Sequence, residues 1–232
     1  MTVTTIGFDA DDTLWHHETF YRGTEERFAD LLSDYAPAEH LQDRLLAAER
    51  RNLEHYGFGV KGFTLSMIET AIEVTEGRVP GHVIAEILAA GRDMLAHPID
   101  LLPHAREAVE AIAATHRVIL VTKGDLMDQE RKLAQSGLGD LFDAVEIVSE
   151  KTPAVYARLF ARHGTGARQA LMVGNSIKSD VLPVIEAGGW GVHVPHGLAW
   201  ALDHADAPAG HPRFRALPDL GGLADLVAGL AE

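Results

Sequence analysis

The chain of 232 residues predicts an α/β fold: a parallel sheet flanked by helices, with four helices inserted after the first strand. Three observations predict it. An apolar run ends at Asp9, and three later segments, residues 118–122, 145–151 and 170–180, each begin as an apolar run and end in a polar group. From residue 99 onward, helical and strand periodicity alternate, as in parallel strands joined by crossover helices. Between the first strand and that alternation the spacing is helical alone.

The elements follow in order. Ile6-Gly7-Phe8 leads straight into Asp9-Ala10-Asp11-Asp12-Thr13. An extended chain alternates its faces with a period of two, so Asp9 and Asp11 are expected to point the same way and to suit a divalent cation at the carboxyl edge of the sheet. A helix cap or an Asp-rich turn is the alternative for such acids. Helices are expected over residues 18–32, 39–55, 65–76 and 80–95, with Tyr21, Phe28, Leu31 and Leu32 on one apolar face and Leu41, Leu45, Leu46 and Leu53 on another. A helix over 105–115, a strand over 118–121, a helix over 127–136 and a last strand over 190–194 complete the pattern. The inserted helices thus interrupt one α/β domain, with hinges expected at His16-His17 and His97-Pro98, and residues 205–212 read as a loop.

Composition excludes several classes. With 47% hydrophobic and 23% charged residues the chain can bury a substantial core. It has no cysteine, which removes disulfides, thiolate nucleophiles and Cys-based metal sites. No run approaches the roughly 20 apolar residues of a membrane span, and the start lacks a signal peptide's basic region. A cytoplasmic protein is expected, with no membrane partner. The formal charge of −14 is spread along the chain, with 14 acids against 8 bases in residues 16–96 and 20 against 12 elsewhere. Nucleic acid is therefore not an expected partner. A small phosphorylated molecule meets a lesser barrier if a cation and one or two lysines make its site locally positive.

Taken together, Asp9-Ala10-Asp11-Asp12-Thr13, Thr122 after a strand, Lys151, and Gly174-Asn175-Ser176 with Asp180 resemble, in order and spacing, the four motifs of the haloacid dehalogenase (HAD) superfamily. The resemblance covers the whole chain. It implies a Rossmann-like, HAD-like catalytic core over residues 1–15 and 97–232, and a four-helix cap domain over 16–96.

The resemblance also implies chemistry: a Mg2+-dependent phosphatase acting on a small phosphorylated metabolite through an aspartyl-phosphate, as a monomer or homodimer. Asp9 would be the nucleophile and Asp11 the acid and base, with its pKa expected to be raised by burial or a neighbouring acid. Thr13 would orient Asp9. Thr122, with the backbone N–H groups of Lys123 and Gly124, would bind the phosphoryl oxygens, and Lys151 would place its ammonium against the phosphoryl group and Asp9. For Lys151 a solvated helix-start lysine is the alternative, and for Thr122 an ordinary strand residue. The metal would be held by Asp9, the backbone carbonyl of Asp11, Asn175 and Asp180. Asn175 stands where many members have a second Asp, which predicts weaker magnesium binding with retained catalysis. Asp12 stands where Gly is more usual, its side chain expected to point away from Asp9. An acid at residue 11 disfavours dehalogenation, and the wording of residues 8–14 is similar to that of members acting on nucleoside monophosphates. A phosphomutase of the same superfamily and a non-catalytic phosphate-binding or regulatory module stay open.

Residues 56–63 hold three glycines and three aromatics and are expected to form a mobile loop between the second and third helices. Lys61 within it is a candidate for a substrate's distal group, or an ordinary exposed lysine. The thirteen histidines give no set with metal-site spacing. Trp15, Trp190 and Trp200 read as packing residues.

Overall fold

The computed structural model describes residues 2–198 and 200–230. Strand β1 (Thr5–Phe8) is followed by helices α1 (Glu18–Leu31), α2 (Ala38–Tyr56), α3 (Val60–Val74) and α4 (Gly81–Ala96). Then come α5 (Ala105–Ala113), β2 (Arg117–Lys123), α6 (Leu126–Ser136), β3 (Ala144–Val148), α7 (Pro153–His163) and β4 (Ala170–Gly174). The chain closes with α8 (Leu182–Glu186), β5 (Trp190–His193), β6 (Phe214–Ala216) and α9 (Leu223–Gly229).

Two compact units result, one of Met1–Glu18, Ile99–Lys123 and Gln129–Glu232, the other of Thr19–Pro98 and Gly124–Asp128. The first unit holds one six-stranded sheet in the order β3-β2-β1-β4-β5-β6, with every pair parallel. Strand β1 lies inside the sheet because its residues are apolar or small and all buried. Succession runs outward to β3 and then returns to β4 on the other side of β1, so the order reverses there. Open α/β sheets form their ligand crevice at such a point, beyond the carboxyl ends of the strands. Phe8 lies level with Leu120 and with Val173, which brings the ends of β1, β2 and β4 to one edge.

A period of two divides the apolar residues between the sheet's faces. Val118 and Leu120 join Ile6, Phe8, Val109, Ile112 and Val173 in one core, while Ile119 and Val121 join Tyr156, Phe160 and Met172 in the other. Both faces are covered, as parallel sheets require.

The unit's chain leaves and returns at one place. Trp15 bridges Leu101, His16 N donates to Asp100 O at 3.0 Å, and Leu102 N donates to Leu14 O at 2.9 Å. These bonds hold residues 15–16 and 100–102 in the α/β unit; the division falls at 18/19 and 98/99, where 15/16 and 96/97 were expected, and residues 124–128, expected in the core, group with the helical unit.

In the helical unit, Phe28, Leu32, Leu41, Leu45, Phe63, Met67, Val83, Ile87 and Met94 form a separate core. Helix α2 buries Leu41, Leu45, Ala48, Glu49 and Asn52, while Leu46 and Leu53 are only half-buried. The expected mobile loop over residues 56–63 is corrected. Helix α2 runs to Tyr56 and α3 starts at Val60, five residues before the expected start, leaving three residues as the connection. Phe63 is buried against Tyr21, with ring centroids 4.8 Å apart. Gly62 serves close approach, since a Cβ there would lie 3.0 Å from Gly57 O.

Candidate active site

Two of the expected carboxylates, those of Asp9 and Asp180, meet on one expected ammonium, that of Lys151. Lys151 is the residue before Thr152, which caps α7 by accepting from Val155 N, with Pro153 opening the helix. Its side chain is only 2% exposed, which rules out the solvated helix-start lysine. Lys151 Nζ donates to Asp9 Oδ1 at 2.5 Å and to Asp180 Oδ1 at 2.7 Å. Asp9 stands one residue beyond β1, fixed by its N–H donating to Val173 O at 2.9 Å.

Asp180 comes from the turn after β4. Residues Ile177–Val181 form one π-helical turn, in which Val181 N bonds back to Ser176 O. Such insertions recur at functional sites. Ser176 Oγ accepts from Ser179 N, and Asp180 Oδ2 accepts from Ser176 N at 3.0 Å, so the wide turn aims the acid back toward the strand end. Gly174 is required there: any Cβ would lie 2.1 Å from Asp180 Oδ2. The Tyr156 hydroxyl lies 3.0 Å from Ser179 O and 3.5 Å from Asp180 Oδ1. Burial, with Asp180 and Asp9 nearby, holds that phenol well above its usual pKa.

Thr13 ties this cluster together. Its hydroxyl lies 3.2 Å from Asp9 Oδ2 and 3.3 Å from Asn175 Oδ1, and accepts from Asn175 N at 3.0 Å. Burial and the Asp180 charge push the Asp9 carboxyl up to about 7, against the opposing pull of Lys151. Burial alone would depress Lys151, but Asp180 and Asp9 outweigh it and push the ammonium above its ordinary range. Two buried acids sharing one ammonium leave a negative excess, and proton uptake by Asp9 relieves it.

Asp11 behaves differently from expectation. Its carboxylate accepts from Trp15 Nε1 at 2.7 Å, Gln129 Nε2 at 2.8 Å and Lys132 Nζ at 3.0 and 3.1 Å, with His17 Nδ1 3.5 Å away. Burial would raise its pKa. The charges of His17 and Lys132 and the hydrogen bonds from Gln129 and Lys132 override that and hold it well below the usual carboxylate range. The expected upward shift is therefore corrected to a downward one, because donors surround the group. Asp9 and Asp11 consequently do not share partners: one is bound to Lys151 and Thr13, the other to residues of α6 and to Trp15.

Asp12 adopts φ 58°, a left-handed conformation that explains the usual Gly. Its carboxylate accepts from the N–H groups of His17 and Glu18 at the start of α1, away from Asp9.

Thr122 is buried at the end of β2 with its hydroxyl donating to Lys123 O at 3.3 Å. Gln129 Nε2 also donates to Lys123 O at 2.9 Å, linking the Asp11 segment to the end of β2. Gly124 follows with φ 130°. The Lys123 side chain, which sequence reasoning did not use, lies 2.9 Å from Ser179 Oγ and 3.7 Å from Asp203 Oδ1. Asp203, also missed, accepts from Ser179 Oγ at 2.7 Å. Lys61 belongs to the helical unit, where its ammonium lies 3.4 Å from Asp125 Oδ1.

The donors offered to a cation are oxygens: the Asp9 and Asp180 carboxylates, the Asn175 amide and backbone carbonyls. Hard oxygen donors with a negative excess suit magnesium. Among the described residues no group of three or more His, Cys, Asp or Glu side chains is placed to hold a metal, so any such site rests on two carboxylates supplemented by carbonyl oxygens.

Residues 3–188 match the family model for haloacid dehalogenase-like hydrolases, and the chain belongs to that family. A pyrimidine 5'-nucleotidase, YjjG, from Escherichia coli K12 is 25% identical over 195 residues, covering 79% of this chain and 82% of the relative. A haloacid dehalogenase-like family hydrolase from Xanthomonas campestris superposes with a TM-score of 0.89 at 46% identity, over 99% of this chain and 92% of that one. The HAD-hydrolase YfnB from Bacillus subtilis, solved with bound magnesium, superposes with a TM-score of 0.67 at 15% identity, over 98% and 99%.

Proposed function

We propose that the chain is a magnesium-dependent phosphatase that hydrolyses a small phosphate monoester, of the nucleotidase kind, through an aspartyl-phosphate on Asp9. The observation that carries the reading is the buried Lys151 ammonium joined to both Asp9 and Asp180 at a sheet edge. The nucleotidase relative and the acid at residue 11 support phosphate ester chemistry.

In the first step an Asp9 oxygen bonds to phosphorus as the bond from phosphorus to the leaving oxygen breaks, and that oxygen takes up a proton. Thr13 holds the other Asp9 oxygen and so fixes the direction of attack. Lys151 stabilises charge on the phosphoryl oxygens, with Thr122 and the N–H groups of Lys123 and Gly124 as further donors. Asp9, Asp180, Asn175 and the Asp11 carbonyl would hold magnesium, which would supply charge neutralisation between nucleophile and phosphate. In the second step Asp11, a carboxylate as it stands, takes a proton from water that attacks phosphorus and frees Asp9. Acting as the acid in the first step requires a protonated Asp11, which the charge of a bound phosphate would favour while the bonds from Lys132 and Gln129 keep the carboxyl aimed. A cytoplasmic monomer or homodimer belongs to the same proposal, as does Lys61 at the substrate's distal group.

Phosphate release from nucleoside monophosphates, sugar phosphates and an aryl phosphate, with and without magnesium, tests the reading. The parent should turn over at least one ester only with magnesium, and Asp9→Asn should lose roughly a thousandfold or more in kcat, the scale of nucleophile removal. Release of no phosphate by the parent, or equal rates for Asp9→Asn, overturns it. Transfer of the phosphoryl group to a second sugar hydroxyl in place of water would make the chain a phosphomutase.

A further inference from the structure

The Asp11 carboxylate is held by a set of side chains that no motif assigns. Gln129 and Lys132 stand three residues apart on α6 and so share one face of the helix. Both are buried, although Gln and Lys side chains favour water, and both reach the same carboxylate. Lys132 Nζ touches both Asp11 oxygens, and Trp15 Nε1 and Gln129 Nε2 take one each. The orientation of the Gln129 amide is fixed, because its nitrogen faces two acceptors, Asp11 Oδ2 and Lys123 O. Its oxygen is buried with no hydrogen-bond partner. A helix face that only needed packing would place apolar residues there.

We propose that Lys132 and Gln129 are positioning residues that aim the Asp11 carboxylate, so that proton transfer to the ester oxygen and from water depends on them. The proposal rests on the phosphatase reading for its catalytic half. Its geometric half stands apart from turnover: with three donors of fixed origin, the carboxylate has one orientation, and Gln129 locks that orientation to the end of β2. Removing Lys132 leaves Oδ2 with Gln129 and Oδ1 with Trp15, His17 Nδ1 lying 3.5 Å away, and takes away the ammonium that ties the two oxygens together.

Two readouts test this. The first is the indole N–H resonance of Trp15 in a 1H–15N spectrum, among the signals of only three tryptophans, identified by its displacement in Asp11→Ala. In Lys132→Met and Lys132→Gln it should move toward its Asp11→Ala position. The second is leaving-group dependence: an alkyl phosphate needs the proton, whereas 2,4-dinitrophenyl phosphate does not. The kcat ratio of alkyl to aryl ester should fall roughly tenfold or more in either Lys132 variant and in Gln129→Leu, within the range of proton-transfer contributions. An unmoved indole signal overturns the proposal, as does an equal fall on both esters, which marks a packing role. If the parent hydrolyses no ester the phosphatase reading fails, and the indole signal still decides the positioning. Should the Lys132 variants not fold, Gln129→Leu carries both readouts alone.

Discussion

Asp9 and Lys151 set the site's response to pH. The carboxyl of Asp9, pushed up to about 7 by burial and Asp180, keeps a proton in the metal-free chain where an unfolded Asp has lost it above about pH 4. The folded state then binds more protons than the unfolded one between about 4 and 7, so this group's contribution to metal-free stability falls as pH rises through that window. As the proposed magnesium ligand, Asp9 would bind the ion in its ionised form, so that binding would displace the proton below pH 7. The apparent magnesium affinity should therefore rise by up to about tenfold per pH unit from 5.5 to 7 and level off above, as measured by calorimetric titration. A flat profile would mean that Asp9 is not a ligand. Apolar runs located the segments that carry Asp9, Lys151 and Asp180, and the resemblance to the four motifs singled out these residues within them. The partners of Asp11 were not legible in the sequence. Gln129 and Lys132 lie 118 and 121 residues away on a helix that reads as ordinary, and the available signal was polar residues on that helix's buried face.

At the scale of elements, helix periodicity located α1 to α4 but missed the start of α3. Gly57, Gly59 and Gly62 read as flexibility, whereas Gly62 is helical and lies against the carbonyl that ends α2. This difference is measurable. In a mobile loop Gly62→Ala would be neutral or slightly stabilising, and in an open helix it would gain about 1 kcal/mol. Here the added Cβ meets Gly57 O at 3.0 Å, so the substitution should destabilise the chain by about 1 kcal/mol in urea unfolding, the scale of modest overpacking. The turn carrying Asp180 was likewise beyond a sequence reading. Ser176-Ile177-Lys178-Ser179-Asp180 looks like an ordinary capped helix start, and only the backbone reveals the extra residue in its first turn that swings the acid inward.

Across the whole molecule, charge works against the proposed substrate. A net −14 repels a phosphate dianion, and added salt screens that field beyond about 10 Å at 0.1 M. For saturating magnesium, kcat/KM on a phosphate ester should rise severalfold, about two- to fivefold, from 20 to 200 mM NaCl, while kcat stays level. A fall in kcat/KM with salt would indicate local positive charge outweighing the global field.

Because Leu14, His16, Asp100 and Leu102 clasp the two chain segments where the helices depart and rejoin, that gate is closed by the α/β unit's own backbone. The helical segment 19–98 is thus inserted at a point where the α/β unit's own backbone stays joined across the gap.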